Sequence, residues 1–221
     1  TEAGNWMFNG RKYKILNNAI DSRKYVYNLK VRESIRKEFR INRDELVIGH
    51  VGRFSTQKNH MYLVEIFERL SKKIPAKLIL VGDGDLRKSI EDKVKALNLE
   101  DKVIFTGVRS DVENLLQAMD VFVFPSLYEG LPVTIVEAQA AGLPCVISAN
   151  IPKECIITKG LVKRVKLSKS VEKWVMTILK MRKIKRQDTS EQIKANNFDI
   201  LESAKWLEQF YLRKLLKIKE R

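Results

Sequence analysis

From residue 46 to residue 148 the chain alternates short, fully apolar runs with longer stretches of helical spacing, and no other feature limits its fold so tightly. Leu46-Val47-Ile48-Gly49-His50-Val51 is a β-branched run that ends at Gly52. Met61 to Ile74 carries apolar residues at helical spacing through Leu63, Ile66, Phe67 and Leu70, with Asn59 as its expected N-cap. The pattern then repeats. Leu78 to Val81 reads as a strand stopped by Gly82-Asp83-Gly84, and Asp85 to Leu97 as a charged amphipathic helix. Val103 to Phe105 is a third strand, followed by a turn at Gly107 and a helix from Val112 to Met119. Val121 to Phe124 is a fourth, closed by Pro125; Glu129 to Ala141 is a turn and helix; Pro144 to Ser148 is a fifth strand. Strands that are apolar on every residue have no solvent face, so they belong in a parallel sheet covered by helices on both sides. The expected class is α/β, a doubly wound parallel sheet with extra terminal helices.

Outside this block, residues 1–45 read as a leading arm and a helix from Val31 to Phe39. No glycine follows Gly160, and Val171 to Met181 and Ile200 to Lys217 read as terminal helices. Trp174, Trp206, Leu207, Phe210 and Tyr211 are expected to pack them. No internal repeat is present. The 221 residues are about one and a half typical domain lengths. With 44% hydrophobic and 31% charged residues, wholesale disorder is excluded. Two cysteines, Cys145 and Cys155, do not make a disulfide scaffold, and the two histidines, His50 and His60, do not make a His-based metal site. No apolar run approaches the ~20 residues of a membrane span, and Thr1-Glu2-Ala3-Gly4 does not open a signal peptide. These features predict a soluble cytosolic protein.

The net charge of +15 is unevenly spread: residues 153–221 hold 19 Lys and Arg against 8 Asp and Glu. A nucleic-acid binder would carry its charge more uniformly and interleave it with aromatics, which the tail does not do. The run from Lys180 to Arg186 reads first as a solvated helix face and second as a segment attracted to an anionic membrane surface.

In a doubly wound sheet, ligands lie beyond the carboxyl ends of the strands. Gly52-Arg53, Gly82, Gly107-Val108 and Glu129-Gly130 all fall there, which suggests one phosphate-bearing site, although any one of these glycines also suits an ordinary turn. The most informative segment is Pro125-Ser126-Leu127-Tyr128-Glu129-Gly130-Leu131-Pro132-Val133-Thr134-Ile135-Val136-Glu137-Ala138. Glu129 sits on the strand-to-helix loop and Glu137 is expected two turns into the helix, both at the ligand end. The loop amides and the positive helix terminus suit an anion, and a carboxylate inside the helix suits ribose hydroxyls.

Gly52-Arg53 with Lys58, Phe105-Thr106-Gly107-Val108, and Glu129 and Glu137 separated by seven residues resemble the retaining family-4 glycosyltransferases of GT-B fold. Within that family the chain is most similar to the bacterial capsule and exopolysaccharide branch. The resemblance spans residues 1 to 148 and returns at Ile200 to Tyr211. It implies a Rossmann-like C-terminal domain that binds a UDP-sugar. It assigns Arg53, Lys58 and Glu129 to catalysis, with Arg53 and Lys58 on the diphosphate and Glu129 on the donor sugar. It gives Glu137 the ribose hydroxyls, and Leu131, Val133 and Thr134 amide contacts to phosphate or sugar. Gly52 and Gly130 join the donor site, and the Val108 backbone meets the base.

The resemblance further implies that Thr1 to Phe8 are the last helix of an acceptor-binding domain. Asn17-Asn18-Ala19-Ile20-Asp21 resembles an interdomain linker, with Ala19 off the preferred order. Residues 1–20 are then a remnant and linker, 21–198 the nucleotide-sugar domain, and 199–221 a helix that crosses back. The resemblance is weak from Ile151 to Ser170, a stretch expected to shape the sugar pocket. The acceptor it implies is a lipid-linked glycan at the cytoplasmic membrane face.

Three other readings compete. Asp83-Gly84-Asp85 has the spacing of a nucleotide-sugar metal motif, but it lies in a turn beside Arg53 and Lys58, whose charge does the same work. The expectation is a turn, with neither metal nor cofactor. A nucleotide-sugar-binding subunit without chemistry is the alternative function. A dinucleotide-binding dehydrogenase is disfavoured because Gly-Arg-Phe-Ser-Thr-Gln follows the first strand in place of a glycine fingerprint. His60 is expected to pack or lie on the surface.

Overall fold

In a computed structural model, which describes residues 7, 9 and 13–219, six strands form one parallel sheet. They are β1 (Leu46–Val51), β2 (Ala76–Val81), β3 (Val103–Gly107), β4 (Val121–Phe124), β5 (Cys145–Ser148) and β6 (Val162–Val165). The spatial order is β3-β2-β1-β4-β5-β6, so the sheet is wound outward in both directions from β1 and β4. The helices are α1 (Leu29–Glu38), α2 (His60–Ser71), α3 (Arg87–Ala96), α4 (Val112–Ala118), α5 (Val133–Ala140), α6 (Val171–Met181), α7 (Ser190–Ala195) and α8 (Ile200–Lys219).

Strand alternation sends neighbouring residues to opposite faces, and each face has its own core. Val47, Ile79, Phe122, Phe124 and Ile147 pack with Leu115, Leu116, Ile135 and Ile193 on the side of α4, α5 and α7. Ile48, Leu78, Leu80, Val123 and Val146 pack with Leu63, Phe67, Ile90 and Trp174 on the side of α2, α3 and α6. In α2 the buried positions Leu63, Val64, Ile66, Phe67 and Leu70 follow the helical period read from the sequence. Removing Phe67 by an Ala substitution would cost about 3–5 kcal/mol, the usual range for a buried aromatic.

α1 begins two residues before the expected start because Asn28 caps it, accepting from the amides of Lys30 and Val31. Arg32 and Arg36 of α1 then clamp Asp120 at 2.6 and 2.7 Å, ahead of β4.

Three expectations need correction. β6 lies within residues 151–170, where no strand was expected; it is an edge strand whose Lys163 and Arg164 break the apolar signature. The run from Lys180 to Arg186 is not a helix face, because α6 ends at Met181. Arg186 turns inward, donating to the carbonyls of Ala141 and Leu116 at 2.6 Å and of Met119 at 2.5 Å, with its guanidinium 5.0 Å from the Tyr27 ring centre. Tyr211 of α8 is exposed, and Phe210, also largely exposed, stacks on the half-buried Trp206 with ring centres 5.3 Å apart; Leu207 is half-buried and Trp174 is buried. The expected helix at Thr1 to Phe8 lies outside the described residues apart from Met7. Among the described residues no helix is long and apolar enough to cross a membrane.

Candidate functional site

The strand order reverses between β1 and β4, which opens a crevice beyond their carboxyl ends. One wall is the loop from Gly52 to Asn59, which includes a 3₁₀ turn over Thr56–Lys58. The other is the loop of residues 125–132, which leads into α5. Lys58 and Glu129, one from each wall, meet across the crevice with Nζ 2.7 Å from Oε1; their side chains are 17% and 7% exposed. Gln57 Nε2 donates to the second Glu129 oxygen at 3.2 Å and to the Tyr128 carbonyl at 3.0 Å. The amide of Leu127 donates to the Gln57 carbonyl at 2.9 Å.

Asn59 occupies the N-cap position of α2, but its side chain does not cap the helix. It takes a left-handed conformation (φ 57°), and its Nδ2 donates to the Pro125 carbonyl at 3.1 Å. An asparagine tolerates that backbone better than most residues. The two walls are thus tied to each other by side chains and backbone.

Gly52 is held to β2 by its amide, which donates to the Val81 carbonyl at 3.0 Å. Directly beyond, Gly82 has φ +128°, and a Cβ there would lie 2.3 Å from the Gly52 carbonyl oxygen. Only glycine allows the exits of β1 and β2 this approach. Arg53 points outward; its side chain is 69% exposed, and its guanidinium pairs with the exposed Asp85 at 3.2 Å. An exposed pair of this kind contributes at most about 1 kcal/mol, so Arg53 is available to a better anion. Asp83 accepts from the amide of Gly84 at 2.8 Å, and the Asp83-Gly84-Asp85 segment forms the turn into α3. Among the described residues no three His, Cys, Asp or Glu side chains gather as a metal site.

Glu137 lies one turn into α5, not two, because the helix begins only at Val133. Glu129 and Glu137 therefore have separate partners. The Tyr25 hydroxyl donates to Glu137 Oε1 at 2.8 Å. Burial raises the Glu137 carboxyl above its ordinary range; the Tyr25 hydrogen bond opposes that rise and the nearby Glu113 charge adds to it. Val133 and Thr134 form the first turn of α5, which carries no acidic residue to neutralise its positive end. Leu131 is half-buried and Gly130 exposed before it. Val108 follows β3, two strands from β1, with its side chain 80% exposed.

Beneath the Gly52 loop lie both histidines, buried, with ring centres 4.6 Å apart. His50 Nδ1 is 3.0 Å from the Val123 carbonyl, which can only accept, so Nδ1 carries the proton. Burial and the neighbouring His60 hold His50 well below the ordinary imidazole range, and burial together with Lys58 lowers His60 to about 4. His60 is therefore a neutral packing residue against His50 and Phe54.

The structure brings together Gly52, Lys58 and Glu129, and sets Arg53, Leu131, Val133 and Thr134 on the same loops or helix end. Sequence reasoning missed Gln57, Asn59 and Tyr25. A polar residue beside Lys58 could have suggested Gln57, but nothing local signals Tyr25, which meets Glu137 across 112 residues of chain.

Comparison with known proteins places residues 31–198 in a match to the family model "Glycosyl transferases group 1". A Bacillus subtilis (strain 168) protein named provisionally as the glycosyltransferase EpsF is 39% identical over 183 residues, covering 80% of this chain and 48% of that protein. The Escherichia coli UDP-Gal:alpha-D-GlcNAc-diphosphoundecaprenol alpha-1,3-galactosyltransferase is 33% identical over 150 residues, covering 66% of this chain and 39% of that enzyme. The chain thus spans about half the length, or less, of these curated relatives. Among solved structures, Anabaena HepE in complex with UDP and glucose superposes with a TM-score of 0.76 at 21% identity, covering 93% of this chain and 59% of that one. That likeness establishes the fold.

Proposed function

This chain belongs to the group 1 glycosyl transferases, and on that premise we propose that it is the donor-binding half of a retaining enzyme fed by a UDP-sugar. The observation that carries the reading is the Lys58–Glu129 pair across the switch-point crevice, a cation and a carboxylate preset at 2.7 Å where a diphosphate and its sugar would meet. Support for UDP comes from the E. coli relative, named for a UDP-Gal donor, and from HepE, solved with UDP.

In this reading the diphosphate lies against Arg53 and Lys58 and the amides of Leu131, Val133 and Thr134, close to Gly52 and Gly130. Arg53 leaves its exposed Asp85 partner to do so. Glu129 holds the sugar, Glu137 the ribose hydroxyls, and the backbone of Val108 the base. Transfer breaks the bond between the anomeric carbon and the diphosphate oxygen. The acceptor hydroxyl adds on the same face through an oxocarbenium-like state, and its proton passes to the departing phosphate oxygen. The two cations stabilise the charge that develops on the diphosphate, the electrostatic work a divalent metal would otherwise perform. The sugar is of hexose type, and the pathway is capsule or exopolysaccharide synthesis.

The acceptor is a lipid-linked glycan, held by the part of the enzyme that supplies its other half. The name of the E. coli relative, with its diphosphoundecaprenol acceptor, supports this. Peripheral attachment to the cytoplasmic face of an anionic membrane is supported by Lys163, Lys166, Lys169, Lys173 and Lys180, which line one groove with no acidic residue. Calorimetric titration with UDP-, GDP- and ADP-sugars in EDTA tests the donor assignment. Saturable binding of a UDP-sugar alone is expected. Binding that requires Mn²⁺, or that prefers GDP or ADP, would reject it.

A further inference from the structure

Glu137 is reached by a residue from far outside the motif that contains it. The Tyr25 side chain ends a 3₁₀ turn, Ser22–Tyr25, and is 9% exposed. Its hydroxyl donates to Glu137 Oε1 at 2.8 Å, leaving the second carboxylate oxygen without a hydrogen-bond partner among the described residues. The turn itself is fixed at several points. Gln117 Nε2 donates to the Tyr25 carbonyl at 3.2 Å, and Ser22 Oγ donates to the buried Asp199 at 2.5 Å. Just upstream, the amide of Ile20 donates to the Phe198 carbonyl at 2.8 Å, and the amide of Ile200 to the Ile20 carbonyl at 2.9 Å. The phenol thus enters on a segment locked to the start of α8.

We propose that Tyr25 is a positioning residue for the nucleotide: it fixes one oxygen of Glu137 so that the other is presented, ionised and correctly turned, to the ribose hydroxyls. This rests on the ribose role of Glu137 given above and adds the group that sets it. A glutamate has three side-chain torsions, and a carboxylate free to rotate would lose part of its gain on binding to ordering. Tyr25 removes that loss in advance. It also supplies a donor to the charged form, which a partly buried carboxylate otherwise disfavours.

Among the described residues the groups that act on the ionisation of Glu137 are Tyr25 from the turn, through its hydrogen bond, and Glu113 of α4, through its charge, and they act in opposite directions. A role limited to packing would involve neither the ribose nor this titration, which makes the two roles separable.

The test uses residues 1–221, with UDP, 2′-deoxy-UDP and 3′-deoxy-UDP titrated from pH 5 to 8. Tyr25→Phe keeps the ring and removes the donor. It is expected to raise the UDP dissociation constant roughly threefold to tenfold, because the bond to the ionised carboxylate is present with and without UDP and only its orienting effect is lost from binding. It should also narrow the preference for UDP over its deoxy analogues and move the acid limb of binding to higher pH. Glu113→Gln should move that limb the other way. If Tyr25→Phe weakens all three ligands equally with an unchanged pH profile, or changes nothing, Tyr25 only packs and the inference is overturned. Glu137→Gln separates the two levels. If it leaves the ribose preference intact, the underlying role of Glu137 fails; if it abolishes the preference while Tyr25→Phe does not, only the Tyr25 inference fails.

Discussion

Substituting Gly82 tests whether the close approach of the β1 and β2 exits holds the candidate site in place. In Gly82→Ala the new Cβ would lie 2.3 Å from the Gly52 carbonyl oxygen and 3.0 Å from its carbonyl carbon, on a backbone with φ +128°. An L side chain at that φ costs about 1–3 kcal/mol. Relieving the overlap needs a shift of roughly 1 Å, and overpacking of this size adds about 1–3 kcal/mol more. The expected loss is therefore about 4 kcal/mol, which a domain of ordinary stability survives. Because Arg53 and Lys58 follow Gly52 on the same loop, the shift should also remove at least one charge-assisted contact to the diphosphate. That corresponds to roughly tenfold or more in UDP affinity. Gly160→Ala is the control: φ is +86° there, but nothing lies within 4 Å of the added Cβ. It should show the conformational cost alone, with UDP affinity unchanged. Urea denaturation gives the stability of each variant and calorimetry its affinity. If Gly82→Ala and Gly160→Ala lose similar stability and both bind UDP as the parent does, the packing argument for the Gly52 loop is wrong.

Further outcomes follow from the same geometry. Glu137→Ala should weaken UDP itself, with no sugar attached, by about 1–3 kcal/mol, since a partly buried acceptor for the ribose is lost; unchanged affinity in a folded variant would remove Glu137 from that role. Both histidines are neutral in the folded chain, so the unfolded chain takes up more protons as the pH falls from 6.5 toward 4, the interval between the ordinary imidazole value and that of His60. Stability contributed by neutral His60 should therefore be lost over that window, by about 3 kcal/mol in all, and His60→Phe should flatten the pH dependence of the urea midpoint; an unaltered slope would contradict the assignment. Residues 1–221 alone should bind donor but transfer no sugar, because transfer needs the acceptor hydroxyl roughly 3–3.5 Å from the anomeric carbon in a site closed to water; robust transfer to a lipid-linked acceptor in a radiolabel assay would contradict the half-enzyme account.

How much of this was legible in the sequence depended on whether a signal was local. Five strands were readable as apolar runs: β1, β2, β4 and β5 are inner strands covered on both faces, and β3, although an edge strand with only Val103 buried, is apolar from Val103 to Phe105. β6 was not, because an edge strand tolerates Lys163 and Arg164, and half-exposed charge looks the same as a loop. The spacing of Gly52, Arg53, Lys58, Glu129 and Glu137 marked the site, but the direct pairing of Lys58 with Glu129 depends on the strand order bringing β1 beside β4. Arg186 was misread for a related reason: composition cannot distinguish a solvated cation from a guanidinium that satisfies three carbonyls. Asn59 occupied its expected position and did different work, tying the two site loops together. Tyr25 carried no local signal at all.

The most direct test of the central claim is a crystal structure of this chain with UDP, grown in EDTA. The ribose hydroxyls are expected on Glu137, the diphosphate within hydrogen-bond reach of Arg53, Lys58 and the first amides of α5, and the base beside the Val108 backbone. Uridine seated away from the β1–β4 crevice, or a diphosphate that touches neither Arg53 nor Lys58, would contradict that claim.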